Sequence, residues 1–281
     1  MAKYLISRGK KLPLNRPLIM GVLNVTPDSF SDGGRFFNPR AALKRALQMV
    51  EEGADIIDIG GESTGPKSSN VSQKEEISRV IPLIEEIRPR TKAWISIDTY
   101  KAETARQALE AGADMVNDVT ALSGDRKMAE VLSRYNVPVV IMYSKDKTAR
   151  TSLKKTTYQN VIKTVSDFLR ARVTFGVKNG ISRERFIVDP GMGAFISSNP
   201  KYSLQILKNL SQLKKLGLPI LAGPSRKSFI GAVLKLPVDE RLEGSLACAA
   251  VALMNGANII RAHDVKETGR ALKMIQSILN S

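Results

Sequence analysis

One cysteine, one histidine and few aromatic residues stand in a chain of 281 residues, and each scarcity removes a class of function. Cys248 alone forms no intrachain disulfide, and nothing around it in Ser245-Leu246-Ala247-Cys248-Ala249-Ala250 activates a nucleophile, so it reads as core packing. One histidine and one cysteine cannot supply a zinc site. Aromatic residues make up 5%, too few to interleave with basic residues as a base-stacking surface, so no nucleic-acid partner is expected. No apolar run has the length of a membrane span, and residues 1–8 lack the apolar centre of a secretory signal. The expectation is a cytoplasmic protein without a membrane partner.

Core material and positive charge are plentiful. Hydrophobic residues reach 43% and charged ones 25%, the balance of an ordinary globular protein. Lys and Arg number 43 against 27 Asp and Glu, a net charge of +16. These basic residues are scattered, in groups such as Lys145-Asp146-Lys147, Lys154-Lys155 and Lys214-Lys215. Such scatter suits a solvated surface that also draws in anionic substrates.

Strand-like and helix-like patterns alternate along the chain. Leu18–Asn24 is an apolar strand, and residues 39–53 follow with Ala42, Leu43, Ala46, Leu47 and Val50 at helical spacing. Further strands fall at 54–59, 93–98, 114–117, 137–143, 186–189, 219–222 and 258–261, each trailed by a helix. Ser72 and Glu75 form a capping box opening a helix that runs to 88, and residues 202–216 read as one helix. Eight such units predict a (β/α)₈ TIM barrel. The reading is one domain over 1–281, with the barrel proper from 17 and residues 1–16 as an N-terminal extension.

Barrels of this kind carry their active sites at the C-terminal rim of the strands. In order, the strand ends here present Asn24, Glu62-Ser63-Thr64, Asp98, Asn117, Met142-Tyr143, Asp189, Ser225-Arg226-Lys227, then Arg261 and His263. Any one of these could cap the next helix. Asp98, Asn117 and Asp189 occurring together with Lys227, Arg261 and His263 point instead to a site. The acids and the amide suit a flat, nitrogen-rich heterocycle, whose amidine-like edge a carboxylate accepts from in two places. Lys227, Arg261 and His263 stand on the last two strand ends, where barrels commonly bind phosphate. The stretch 21–34 is too polar for a core, and reads as a surface loop held by Asn24 rather than as a plain turn cornered by Pro27. Its oxygens would suit Mg²⁺ shared with phosphates.

At these residues the chain resembles the bacterial dihydropteroate synthases. The matching segments are residues 21–34, Gly60 with Glu62-Ser63-Thr64, residues 96–102, Val116-Asn117-Asp118-Val119, residues 189–193, residues 225–231 and residues 261–265. The resemblance implies a transferase joining a hydroxymethyl-dihydropterin diphosphate to p-aminobenzoate with loss of pyrophosphate, Mg²⁺ as cofactor, and a homodimer. Carried over by position, Asp98, Asn117, Asp189 and Lys227 would hold the pterin, with Met142 against its face. Asn24 would bind the metal and, with Arg261 and His263, the pyrophosphate. Asp32 would stabilise the cationic intermediate, with Asn24, Lys227 and Arg261 completing the catalytic set. Thr64, Pro66, Phe195 and Ser228 would frame the aminobenzoate, and Gly33 and Gly34 would hinge the first loop.

Three places depart from the family pattern. Gly65 stands where an arginine is usual, with Lys67 as a possible substitute; Tyr143 replaces a histidine; and Gly193-Ala194-Phe195-Ile196 replaces Gly-Phe-Gly-Lys. These departures lie toward the aminobenzoate side and resemble the divergent, sulfonamide-insensitive branch. Two rivals are a pterin-binding methyltransferase, which has no use for Asn24 or the Arg261/His263 pair, and a basic binding protein on a decayed barrel.

Overall fold

The computed structural model of the chain describes residues 3–26, 39–66 and 68–281. Residues 1–16, expected only as an extension, contain an antiparallel hairpin of β1 (Tyr4–Ser7) and β2 (Lys10–Pro13). Arg8 and Gly9 turn the chain between them with φ of 49° and 78°, the left-handed geometry that a tight hairpin demands. Eight parallel strands then form one sheet: β3 (Leu18–Asn24), β4 (Ile56–Gly60), β5 (Trp94–Asp98), β6 (Met115–Asp118), β7 (Val139–Met142), β8 (Phe186–Asp189), β9 (Leu221–Ala222) and β10 (Ile259–Ala262). Their order is β8-β7-β6-β5-β4-β3-β10-β9, and a parallel bridge from Val188 to Ile220 brings β8 back against β9. That contact closes the sheet into a barrel.

Outside the barrel lie α1 (Pro39–Glu51), α2 (Gln73–Ile87), α3 (Ala102–Ala111), α4 (Met128–Tyr135), α5 (Val161–Lys178), α6 (Pro200–Asn209), α7 (Ser228–Leu234), α8 (Leu242–Met254) and α9 (Val265–Leu279). The helix expected over 202–216 is two elements. After α6, Leu210–Leu216 winds as a 3₁₀ helix, and Leu210, Leu213 and Leu216 are all buried. A three-residue repeat of leucine needs three residues per turn to bury one side. Only half of the capping box forms: Ser72 Oγ accepts the Glu75 N–H at 3.2 Å, while the Glu75 carboxylate pairs with Arg79. Among the described residues no helix is long and apolar enough to cross a membrane.

Strand alternation sorts the core into two layers. Met20, Ile56, Trp94, Met115, Val140, Ile187, Leu221 and Ile259 pack together in the lumen with Leu5 and Leu18. The intervening residues, among them Ile57, Ile95, Val116 and Val188, face the helices. Leu5 is 2% exposed, so the hairpin plugs the floor of the barrel. Asp114 ties it there, accepting Lys10 Nζ at 3.0 Å, while its carbonyl takes the Ser7 hydroxyl at 2.6 Å. The floor is therefore sealed and apolar, and the opposite end is left for chemistry.

Candidate active site

The period of two that sends Ile56 and Trp94 into the lumen also sends Asp58, Ser96 and Asp98 there, nearer the rim. Arg261 on β10 reaches across to them. Its Nε donates to Asp58 Oδ2 at 2.6 Å and its Nη2 to Asp98 Oδ2 at 2.7 Å. Asn117 Nδ2 donates to the same Asp58 oxygen at 3.0 Å. Asp58 is fully buried, and among the described residues its Oδ1 and the neighbouring Ser96 Oγ have no hydrogen-bond partner. An acid placed so deep is affordable only because a guanidinium and an amide meet it.

Above this charged layer lies one pocket. It is lined by Thr64, Asp98, Asn117, Val119, Met142, Asp189, Met192, Phe195, Gly223, Lys227 and Arg261. The structure thus brings together all four expected pterin contacts, Met142, Arg261 and two of the four expected aminobenzoate residues. Larger surface grooves exist elsewhere, but they lack this concentration of buried ionisable groups. Lys227 Nζ lies 5.0 Å from the centre of the Phe195 ring, an ammonium over an aromatic face. Asp189 Oδ1 accepts the Gly191 N–H at 2.8 Å, which fixes the carboxylate.

Burial sets the protonation chemistry here. It pushes Asp189 up to about 6, only partly offset by the Gly191 N–H and by Lys227. Burial likewise holds Asp98 above the usual carboxylate range despite Arg261. Lys227 is brought down to about 8 by burial and then by Arg261, with Asp189 and Asp98 opposing. His263 is driven down to about 4 by burial and the nearby cations Arg261, Lys227 and Arg226, so its ring is neutral at physiological pH.

His263 stands outside the pocket lining, behind Ser225. The Ser225 hydroxyl oxygen accepts the His263 backbone N–H at 3.1 Å and lies 3.0 Å from Nδ1. Between Ser225 and Lys227, Arg226 adopts φ of 56°, a left-handed conformation rare for a side chain of this kind. Three partners hold it there: Asp264 takes its guanidinium, Ser245 Oγ accepts its N–H at 2.9 Å and Arg241 donates to its carbonyl at 3.1 Å. Strain held this firmly fixes the turn between Ser225, which meets His263, and Lys227, which lines the pocket.

The remaining expected residues are placed as follows. Asn24 is exposed at the end of β3. Ser228 opens α7, and its hydroxyl lies 3.1 Å from where a side chain at Gly193 would begin, beside the pocket. Pro66 is exposed on the loop after β4. Asp32, the Gly33-Gly34 hinge and Lys67 lie outside the described residues. Cys248 is half-buried against the core, and burial raises its thiol to about 11, which suits packing and not attack.

The chain matches the family model for pterin binding enzymes over residues 20–263. A dihydropteroate synthase from Haemophilus influenzae is 44% identical over 277 residues, spanning 99% of both chains. The chain belongs to the dihydropteroate synthases. Solved structures of the Xanthomonas albilineans dihydropteroate synthase share its fold. With 4-aminobenzoic acid the TM-score is 0.93 at 39% identity, covering 100% of each chain. With 7,8-dihydropteroate it is 0.88 at 38% identity, covering 99% of each. The synthase family, not the methyltransferases, is therefore where the barrel belongs.

Several functional groups escaped the reading of the synthase sequence. Asp58 was hidden inside Ile56-Ile57-Asp58-Ile59, although counting by twos from Ile56 marks it as lumen-facing. Ser225 is marked in the sequence only by standing two residues before Lys227. Tyr143, one of the departures from the family pattern, is buried behind the pocket wall; its hydroxyl lies 3.2 Å from that of Tyr158, which donates to the Ile196 carbonyl at 2.8 Å.

Proposed function

We propose that the rim pocket is where this synthase condenses 6-hydroxymethyl-7,8-dihydropterin diphosphate with p-aminobenzoate to give 7,8-dihydropteroate and pyrophosphate. The convergence of Asp98, Asn117, Asp189, Lys227 and Arg261 on one enclosed pocket carries the reading. Ionised Asp189 and Asp98 accept the N–H groups along the pterin edge, Asn117 and Lys227 donate to its acceptors, and Met142 covers its face. Arg261 and His263 hold the diphosphate, together with Asn24. Charge separates as pyrophosphate leaves, and the role carried over for Asp32 is to stabilise the cation that results. Catalysis is then positioning and electrostatic stabilisation, with Asn24, Asp32, Lys227 and Arg261 as the working groups and no covalent nucleophile.

Mg²⁺ fits this site in one manner only. Among the described residues no cluster of three acids, histidines or cysteines could cage a metal. An exposed Asn24 carboxamide beside phosphate oxygens and water is the kind of partial ligand set that Mg²⁺ accepts. When bound there, the ion would neutralise charge on the departing pyrophosphate. Asn24 would hold it, while Arg261 and His263 keep the phosphates in place.

Thr64, Pro66, Phe195 and Ser228 frame the p-aminobenzoate side, and the departures at Gly65, Tyr143 and Ala194-Phe195-Ile196 reshape it. The chain acts in the cytoplasm and pairs with a second copy through its last helices, where Val251, Met254, Met274 and Ile278 are exposed. Sulfonamides compete for the same pocket, so the reshaping lowers their affinity more than that of the substrate. The test compares the inhibition constant of sulfamethoxazole with the KM for p-aminobenzoate. An inhibition constant well above KM is expected, and one far below it would sink the discrimination.

A further inference from the structure

The segment between β7 and α5 has no regular secondary structure, yet it is pinned at both sides of the aminobenzoate pocket. On one side the Thr151 N–H donates to the Thr64 carbonyl at 3.1 Å. On the other, the Lys145 N–H donates to the Phe195 carbonyl at 2.9 Å, and the Tyr158 hydroxyl donates to the Ile196 carbonyl at 2.8 Å. Thr151 Oγ lies 2.9 Å from both the Ala194 carbonyl and Asp146 Oδ2, so its one proton is shared between the Ala194 wall and the segment's own Asp146.

The middle of the segment is clamped from within. The Lys145 ammonium is 3% exposed and meets Asp146 at 2.5 Å, Thr151 Oγ at 3.1 Å and the Ser152 carbonyl at 2.8 Å. Asp146 also accepts the Ser152 N–H at 2.9 Å. A buried ammonium so fully bonded fixes the backbone that carries it. A second fastening reaches farther out. Arg150 pairs with Glu62, donates through Nε to Ser68 Oγ at 3.0 Å and donates to the Ser69 carbonyl at 2.7 Å. Glu62 is held in turn by Lys101 at 2.6 Å.

We infer that residues 145–151 form a strap that sets the width of the second-substrate pocket, with Thr151 and Arg150 as positioning residues for p-aminobenzoate. Thr64 stands on one wall and Phe195 on the other, and they belong to loops separated in the barrel by three strands. The strap joins those loops directly. It also connects the three departures from the family pattern: Arg150 and Thr151 grip the loop containing Gly65, and Tyr143, through Tyr158, supports the loop of Ala194 to Ile196. The arginine lacking at position 65 thus has a counterpart that enters from another loop and bonds the segment around it. Neither residue touches the pterin contacts, so their effect falls on one substrate only.

The inference rests on the second-substrate assignment made above, and steady-state kinetics separates the two. Wild-type enzyme that makes no dihydropteroate from the two substrates overturns both. With an active wild type, Thr151→Val removes the shared hydroxyl but keeps the backbone bond to Thr64. The expected result is a KM for p-aminobenzoate raised about three- to tenfold, the worth of one neutral hydrogen bond, with the KM for the pterin diphosphate unmoved. Thr151→Ser restores the hydroxyl and the wild-type KM. Arg150→Gln, on a partly exposed side chain, gives a change in the same direction without entering the pocket. Equal shifts in both KM values, no shift in either variant, or a Thr151→Ser enzyme as impaired as Thr151→Val would overturn the strap. Should Thr151→Val fail to fold, Arg150→Gln alone decides by the same split.

Discussion

At the floor of the barrel, Met20, Ile56, Trp94, Met115 and Ile259 fill the lumen with apolar side chains over Leu5 of the hairpin; toward the rim the barrel strands fill it with Asp58, Asn117, Asp98 and Arg261. Both ends are buried, and both are built by the same alternation. Their energetics run in opposite directions. Each apolar side chain sealed into the floor stabilises the barrel by about 2 kcal/mol. A carboxylate at the rim costs stability, because burial has lifted its pKa. For Asp189 the sign follows from linkage: a native pKa near 6 against an ordinary 3.8 means that the folded state holds the proton more tightly. Stability then falls as pH rises through the window between those values, and above it the ionised group is a net burden. The floor is organised for folding and the rim for binding.

Three experiments would break or sharpen that contrast. The largest effect belongs to Asp189→Asn, which keeps an acceptor for the Gly191 N–H but removes the charge. It should lower kcat/KM for the pterin diphosphate by about a thousandfold, since a site built to accept a hydrogen bond discriminates strongly. Urea unfolding at pH 7.5 should show the variant no less stable than the wild type; clear destabilisation would contradict the idea that the rim is held at a cost. Leu5→Ala, at the other end, should do the reverse. It should lose about 2–3 kcal/mol of stability through the cavity left in the plug, with kcat/KM unchanged within about twofold. A floor variant that damaged turnover would erase the distinction between the ends.

The pH profile of kcat/KM comes next in size. Its acid limb should lie at about 6 or somewhat above, where Asp189 and Asp98, both raised by burial, must be ionised to accept from the pterin. Its alkaline limb should lie near 8, where Lys227 loses its proton and the pocket one of its cations. His263, already neutral above about 4, should contribute no limb in between. A profile flat from 5 to 9 would remove both groups from the binding step.

Much of this contrast was legible in the sequence. Eight apolar runs between amphipathic ones gave the strand count, and polar residues just past those runs located the rim, because local periodicity decides both. The parts that escaped depend on what meets what in space. Leu5 in a strand of four residues has too little pattern to announce a plug. Asp58 sits inside an apolar run, and only the arrival of Arg261 from the far end of the chain explains it. Arg226 looked like a site residue by position, yet its guanidinium turns away to Asp264. Thr151 and Arg150 lie in a basic, hydroxyl-rich loop whose role comes entirely from the two loops it joins.

The most direct test of the rim as a synthase site is to measure pyrophosphate release from 6-hydroxymethyl-7,8-dihydropterin diphosphate with and without p-aminobenzoate. The expected result is release that depends on p-aminobenzoate, with one dihydropteroate formed for each pyrophosphate and almost none of either with Asp189→Asn. Release that ignores p-aminobenzoate, or that survives Asp189→Asn undiminished, would contradict the account.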